Sequence, residues 1–189
     1  MLATYFNILI YLIFGLILAG VLTYLRIKKK KTWTYLMVVA LFSIYLFKVL
    51  DYTLLQYQSL LLLKLFAPNL MLHGQEAERA INLVPLVSLA SGDIPTSLLN
   101  VLLFVPLGFL LPFIRRVDMS KVVIIGALLS LSIELAQLLT GSLAETTFRI
   151  ADINDLLFNT AGAAIGYLLF LLFMQTQQHV SKNRRRMQS

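Results

Sequence analysis

Five stretches of the chain are apolar for long enough to cross a bilayer as a helix, which takes about 20 residues. The first runs from about Leu2 to Leu25, with Thr4, Asn7 and Thr23 as its uncharged polar breaks. The second begins at Trp33 and continues to about Leu55, with Lys48 and Asp51 inside it. The third covers about Thr96 to Ile114, the fourth Val122 to Leu139, and the fifth about Ile153 to Met174. Between the second and third, Ser59–Leu72 is apolar but short and interrupted by Lys64 and Pro68. A segment of that kind is expected to lie in the interface or to re-enter the membrane without crossing it. The pattern therefore predicts an all-α integral membrane protein, a bundle of five spans.

Composition supports this and excludes the soluble alternatives. Apolar residues are 59% of the 189, charged residues only 13%, and the mean hydropathy is +0.82. With no cysteine, the chain has no disulfide, no thiolate metal ligand and no thiol nucleophile. The net charge of +7 is an orientation signal more than a polyanion site. Twelve of the sixteen Lys and Arg lie in Arg26–Thr32, in Arg115–Lys121 or after Gln175. Five spans alternate, so these three segments share one side, and the excess of basic residues assigns that side to the cytoplasm. The N-terminus is thus expected outside and the C-terminus in the cytoplasm. Glu76, Glu78, Asp93, Glu145, Asp152 and Asp155 then all fall on the outer side. No basic residue precedes the first run and no small-residue cleavage site follows it, so it is expected to be a retained anchor. Nucleic-acid binding is discounted, because the basic residues flank spans on one side and form no stripe.

A polar side chain in hydrocarbon is costly, so each one inside a span requires an explanation. In the fourth span Gly126, Ser130, Glu134, Gln137 and Gly141 fall on one helical face. The fifth repeats the pattern with Asp155 and Asn159 above Gly162 and Gly166, a seam that permits close helix contact. The third carries Asn100 near its outer end, then Pro106, Gly108 and Pro112, which predict a bent helix with freed carbonyls. At 1.5 Å per residue, Glu134 and Asn159 lie roughly 9–10 Å below the outer surface, Lys48 roughly 10 Å and Asn100 roughly 6 Å. Four helices thus bring polar groups to one layer, with Asn82, Arg149 and Asp152 at the rim. The expected result is a polar pocket in the outer leaflet, formed by Asn82, Asn100, Glu134, Gln137, Arg149, Asp152, Asp155 and Asn159.

Each residue also has a purely structural role open to it. Asp152 and Asp155 would serve as caps of the fifth helix, where carboxylates favour the N-terminal dipole. Lys48 would pair with Asp51 three residues on, and Asn100 and Asn159 would bond between helices. Glu134 is the hardest to absorb in this way, since a carboxyl in the membrane needs a partner or a proton.

The second half of the chain resembles the VanZ-like family. The segments concerned are Ile81-Asn-Leu-Val-Pro-Leu86, Asn100-Val-Leu-Leu-Phe-Val-Pro-Leu-Gly-Phe109, Ser130-Leu-Ser-Ile-Glu-Leu-Ala-Gln137 and Arg149-Ile-Ala-Asp-Ile-Asn-Asp155, followed by Asn159-Thr-Ala-Gly162. Each is weak alone; together, in order, they are specific and cover about residues 45–173. Leu86 stands where the family usually has an aromatic. The resemblance implies that Asn82, Pro85, Asn100, Pro106, Gly108, Glu134, Gln137, Arg149, Asp152, Asp155, Asn159 and Gly162 are its motif positions. It divides the chain into an anchor and basic loop over 1–32, a VanZ-like membrane domain over 33–175 and a basic cytoplasmic tail over 176–189. The family is named for an accessory protein of glycopeptide resistance, associated with tolerance to teicoplanin, and it carries no established reaction to this chain.

The leading expectation is a multi-pass protein of the bacterial cell membrane that binds or shields an amphipathic molecule. Candidate partners are membrane lipids, a lipid-linked wall precursor or a lipoglycopeptide, with no cofactor and no metal; a homo-oligomer is compatible with the sequence. The alternative is a membrane-embedded enzyme acting on a lipid-linked headgroup, with Glu134 as general acid or base and Arg149 as an anion anchor. Against it, the only histidines are His73 and His179, and no His-Glu-x-x-His helix or Gly-x-Ser-x-Gly elbow is present. A transporter is disfavoured because the polar groups are confined to one leaflet and no repeat is evident.

Overall fold

The computed structural model describes residues 2–55, 81–86, 94–143 and 151–187. Helices α1 (Leu2–Ile27) and α2 (Trp33–Leu50) form the first pair, and α2 ends in a π-helical turn, Asp51–Leu55. Strand β1 (Ile81–Asn82) precedes α3 (Ile94–Ile114) and α4 (Met119–Leu143). Strand β2 (Ala151–Asp152) leads directly into α5 (Ile153–Met187). Five helices are long and apolar enough to cross a membrane, as expected. The Ser59–Leu72 segment lies outside the described residues.

Helix ends follow local chemistry. The Thr32 hydroxyl accepts from the Tyr35 amide and starts α2, and Asp118 does the same for α4 through the Lys121 amide at 2.9 Å. Between α1 and α2 the chain turns through Lys30 in the left-handed region, φ 51°. Helix α5 does not stop at Met174: it runs 35 residues, about 52 Å, so the basic tail continues the helix past the apolar span.

The core is set by glycine. A Cβ on Gly108 would sit 1.9 Å from the Ala163 carbonyl oxygen, one on Gly162 2.1 Å from that of Val101, and one on Gly166 2.0 Å from that of Val105. Backbone therefore touches backbone along α3 and α5, the approach that small residues allow between helices. The pairing order, Val101 with Gly162 and Val105 with Gly166, makes α3 and α5 parallel. Further along, Phe113 meets Phe170 and Phe173 edge-on. Helix α4 returns antiparallel to both, with Gly126 against Ala163. Phe104, Leu107, Val122, Ile133 and Ala163 close the core, joined by Val49 from α2. The Tyr45 hydroxyl fastens α2 to α3 by donating to the Leu103 carbonyl at 2.7 Å. A carbonyl oxygen has two lone pairs, so that of Leu103 can take this bond without leaving the helix.

Helix α1 lies on the outside of this bundle, and none of its described side chains is buried. It holds α2 through Phe14 stacked on Phe47 and through a polar cluster of Tyr11, Lys48 and Asp51. The helix directions gather the 26–33 loop, the 115–118 turn and the C-terminal end of α5 at one end of the molecule. The π-helical turn, both strands, the ends of α1 and α4 remote from these turns, and the starts of α3 and α5 lie at the other.

Candidate functional site

At that second end, the chain brings together residues far apart in sequence. Strands β1 and β2 pair in parallel, Ile81 with Ala151 and Asn82 with Asp152. This ladder of two residues per strand is a feature that the helical periodicity did not announce. It aligns Asn82 so that its side-chain amide donates to Asp152 Oδ2 at 3.0 Å, while its own Oδ1 accepts from the Val84 amide. Asp152 is also the N-cap of α5: its Oδ1 accepts from the Asn154 backbone at 2.8 Å and from the Asn154 side chain at 2.7 Å. Capping and site-building are thus one role for this residue, not two.

Glu134 enters from α4. It is only 8% exposed, and its Oε2 accepts from the Asp152 backbone amide at 3.0 Å. A carboxylate that deep is tolerable only when hydrogen bonds satisfy it, and the ladder supplies one. Asn100 of α3 donates to Asp155 Oδ1 of α5, a bond between two buried residues on adjacent parallel helices. One turn deeper, the Asn159 side-chain amide donates to Ser130 Oγ at 2.9 Å, tying α5 to α4. Gln137 of α4 donates to the Thr53 carbonyl at 3.0 Å, where the π-helical turn ends α2 and leaves carbonyls without intrahelical donors. Two acceptors stay open among the described residues: Gln137 Oε1 and Asn159 Oδ1, on side chains 6% and 4% exposed.

Of the eight residues expected to line one pocket, seven converge here: Asn82, Asn100, Glu134, Gln137, Asp152, Asp155 and Asn159. The eighth, Arg149, lies outside the described residues. Lys48, level with the layer by depth, takes the other role its spacing offers, the pair with Asp51. Its ammonium donates to Asp51 at 3.0 Å and to the Tyr11 hydroxyl at 3.1 Å, with the side chain 59% exposed on the α1 side of α2. The i,i+3 partner captured it locally. The contribution of α2 to the site is instead Thr53, which is buried and donates back to the Val49 carbonyl.

Asn154 was not singled out in the sequence, yet it is almost wholly buried and makes four hydrogen bonds. Besides its two to Asp152, its side-chain nitrogen donates to the Val84 carbonyl at 3.1 Å and its oxygen accepts from the Leu86 amide. It clasps the turn at Val84–Leu86, where Leu86 follows Pro85 with φ 59°. A branched residue in the left-handed region costs about 1–3 kcal/mol and persists only when its surroundings hold it. The signal available was an amide two residues after a cap and adjacent to a carboxylate. That pattern also describes an ordinary solvated helix start.

The arrangement defines a class: a multi-span helical membrane protein whose chemistry is a hydrogen-bonded layer of three carboxylates and five amides at one end of the bundle. Among the described residues no cluster of His, Cys, Asp and Glu could hold a metal ion. The chain belongs to the VanZ/LLP1 family, whose model matches residues 50–174, from the end of α2 through the apolar part of α5. No curated protein and no solved structure matches it.

Proposed function

We propose that the chain binds or shields an amphipathic envelope molecule at the outer leaflet, with its headgroup in the layer around Glu134. The ligand is a lipid, a lipid-linked wall precursor or a lipoglycopeptide such as teicoplanin. The observation carrying this reading is the pair of buried acceptors, Gln137 Oε1 on α4 and Asn159 Oδ1 on α5, whose amide is bonded to Ser130 one turn below Glu134 on α4. A buried carbonyl without a donor costs about 1–3 kcal/mol, so its retention favours a donor arriving from a ligand. The described groups are rich in acceptors, which suits a head bearing hydroxyl or amide N–H groups. The exposed apolar flanks of α3 and α4, including Leu99, Leu102, Leu131 and Leu135, suit a tail.

The test is retention of a labelled lipoglycopeptide and a labelled lipid-linked precursor by the purified protein. Glu134→Gln and Gln137→Leu are expected to keep the fold and lower retention several-fold. Retention unchanged in both variants overturns the proposal. A new covalent species in the lipid extract would assign the site to an enzyme, with Glu134 as the proton-transfer group.

The proposed orientation, N-terminus outside and C-terminus cytoplasmic in a bacterial cell membrane, rests on the basic turns sharing one end. The absence of cysteine makes it directly testable with single substitutions. A membrane-impermeant maleimide is expected to label Leu83→Cys in intact cells and to spare Lys29→Cys.

A further inference from the structure

Away from this site, at the basic end, α1 and α2 diverge around a groove of about 420 Å³. Its walls are apolar: Leu22 and Ile27 from α1, and Leu36, Met37 and Ala40 from α2. Its mouth is not. The Arg26 guanidinium lies over the Trp33 ring, 4.7 Å from the centroid, and donates to the Lys31 carbonyl at 3.0 Å. Lys28, Lys29, Lys30 and Lys31 follow in the same turn, which the left-handed Lys30 and the Lys31 amide bond to the Leu25 carbonyl keep tight.

Orientation signals require only that cations stand near the ends of spans. They do not require a guanidinium held in place by a ring and a carbonyl at the opening of an apolar groove. An arginine has five N–H donors, and the carbonyl uses one, so donors remain for an oxyanion. Four lysines beside it in one tight turn, with the Lys31 ammonium over the Tyr35 ring, concentrate positive charge where an anion is attracted. The groove runs from Trp33 to Ala40, about 10 Å along α2, the depth of the upper part of an acyl chain. Apolar walls below and clustered cations above select a molecule that is a tail below and a phosphate above. Basic pockets between spans recognise lipid headgroups in this way.

We propose that the α1–α2 groove is a specific site for one anionic phospholipid, its phosphate on Arg26 and the lysine turn and an acyl chain along Leu36 and Ala40. The site is separate from the layer around Glu134, and it stands whether or not that layer binds a ligand.

The experiment is native mass spectrometry of the full chain released from nanodiscs containing equal amounts of phosphatidylglycerol and phosphatidylcholine with matched acyl chains. The wild type is expected to retain one phosphatidylglycerol. Arg26→Gln is expected to lower that retention about fivefold, the value of one basic contact to an anionic lipid surface. Ala40→Phe fills the groove and is expected to remove the bound lipid while sparing the charges. Neutralising Arg184, Arg185 and Arg186 together, none of which lines the groove, is expected to change nothing. Equal retention of the zwitterionic lipid overturns the proposal, as does an equal loss in the Arg184–Arg186 variant, which would mark charge alone. Should Ala40→Phe fail to fold, Arg26→Gln with Trp33→Leu decides, since both side chains are exposed, and full retention in both overturns the site.

Discussion

The two parts of this molecule are held together in different ways, and the family match divides them. Within residues 50–174, α3 and α5 meet backbone to backbone, and buried amides and carboxylates link them to α4 and the strand ladder. Before it, α1 and most of α2 join through one stacked aromatic pair and a half-exposed polar cluster. Gly15 and Gly20 of α1 have no atom within 4 Å of where a Cβ would stand, whereas Gly108, Gly162 and Gly166 have a backbone oxygen within 2.1 Å. The same residue type is a packing requirement in one region and incidental in the other. Hydrophobic length suits a helix to the membrane, but small residues and paired polar groups fix its neighbours.

The largest effect should come from that seam. Gly162→Leu or Gly166→Leu is expected to cost at least about 3 kcal/mol, the top of the overpacking range, because the obstructing atoms are backbone and cannot turn aside. Thermal aggregation in detergent measures it. Gly15→Ala and Gly20→Ala in α1 should leave the midpoint no lower, since nothing stands where the methyl would go and alanine is the better helix former. If both pairs behave alike, the contrast between the regions is wrong.

Next is the polar layer. Glu134→Ala removes the acceptor of the part-buried Asp152 amide and should cost about 1–3 kcal/mol, while Glu134→Gln keeps an oxygen there and should cost less. Equal losses for the two would mean that the charge, not the hydrogen bond, matters to folding. A smaller effect is expected for Tyr11→Phe, which breaks the cluster with Lys48 and Asp51. Such partly exposed polar contacts are worth about 0.5–1 kcal/mol, and a loss as large as that of Glu134→Ala would erase the contrast between the two regions.

The smallest effect concerns Asp118, in the turn outside the spans. The hydrogen bonds from the Lys121 ammonium and amide hold its carboxyl below the ordinary carboxylate value. A carboxyl whose folded value is depressed adds stability that is complete above its unfolded value and is lost as pH falls through the folded one. Melting midpoints should therefore be flat in this respect between pH 7 and 5 and fall only below about pH 4. Asp118→Asn should flatten the acid limb slightly.

Much of this was legible beforehand. The five spans, the stripe of Ser130, Glu134 and Gln137, and the seam at Gly162 and Gly166 all follow from apolar length and helical spacing. Asn100, Glu134 and Asn159 lie in the layer where depth along their helices placed them, and Asn82 and Asp152 meet at its rim. Other features were hidden for definite reasons. Lys48 is not one of them: its depth matches the layer, but its i,i+3 spacing to Asp51 offers the pair that forms. Asn154 looked like an ordinary residue of a helix start, because its value comes from Val84 and Leu86, 70 and 68 residues away. The ladder of Asn82 with Asp152 is too short to leave any alternating pattern.

What the sequence alone determined is which five stretches are long and apolar enough to cross a membrane, that the bases gather at one end of them, and which faces of α4 and α5 carry the polar groups. These are transfer energies and helical periods, both set by residues close together in the chain. Only the tertiary structure decided that α3 and α5 run parallel in backbone contact, that the Asp152 amide satisfies Glu134, and that Gln137 and Asn159 keep an oxygen without a partner among the described residues. Those outcomes depend on how closely separate helices approach and at what height, which no single helix encodes. The charge pattern fixes the ends of the bundle, and glycine at Gly108, Gly162 and Gly166 lets its middle close.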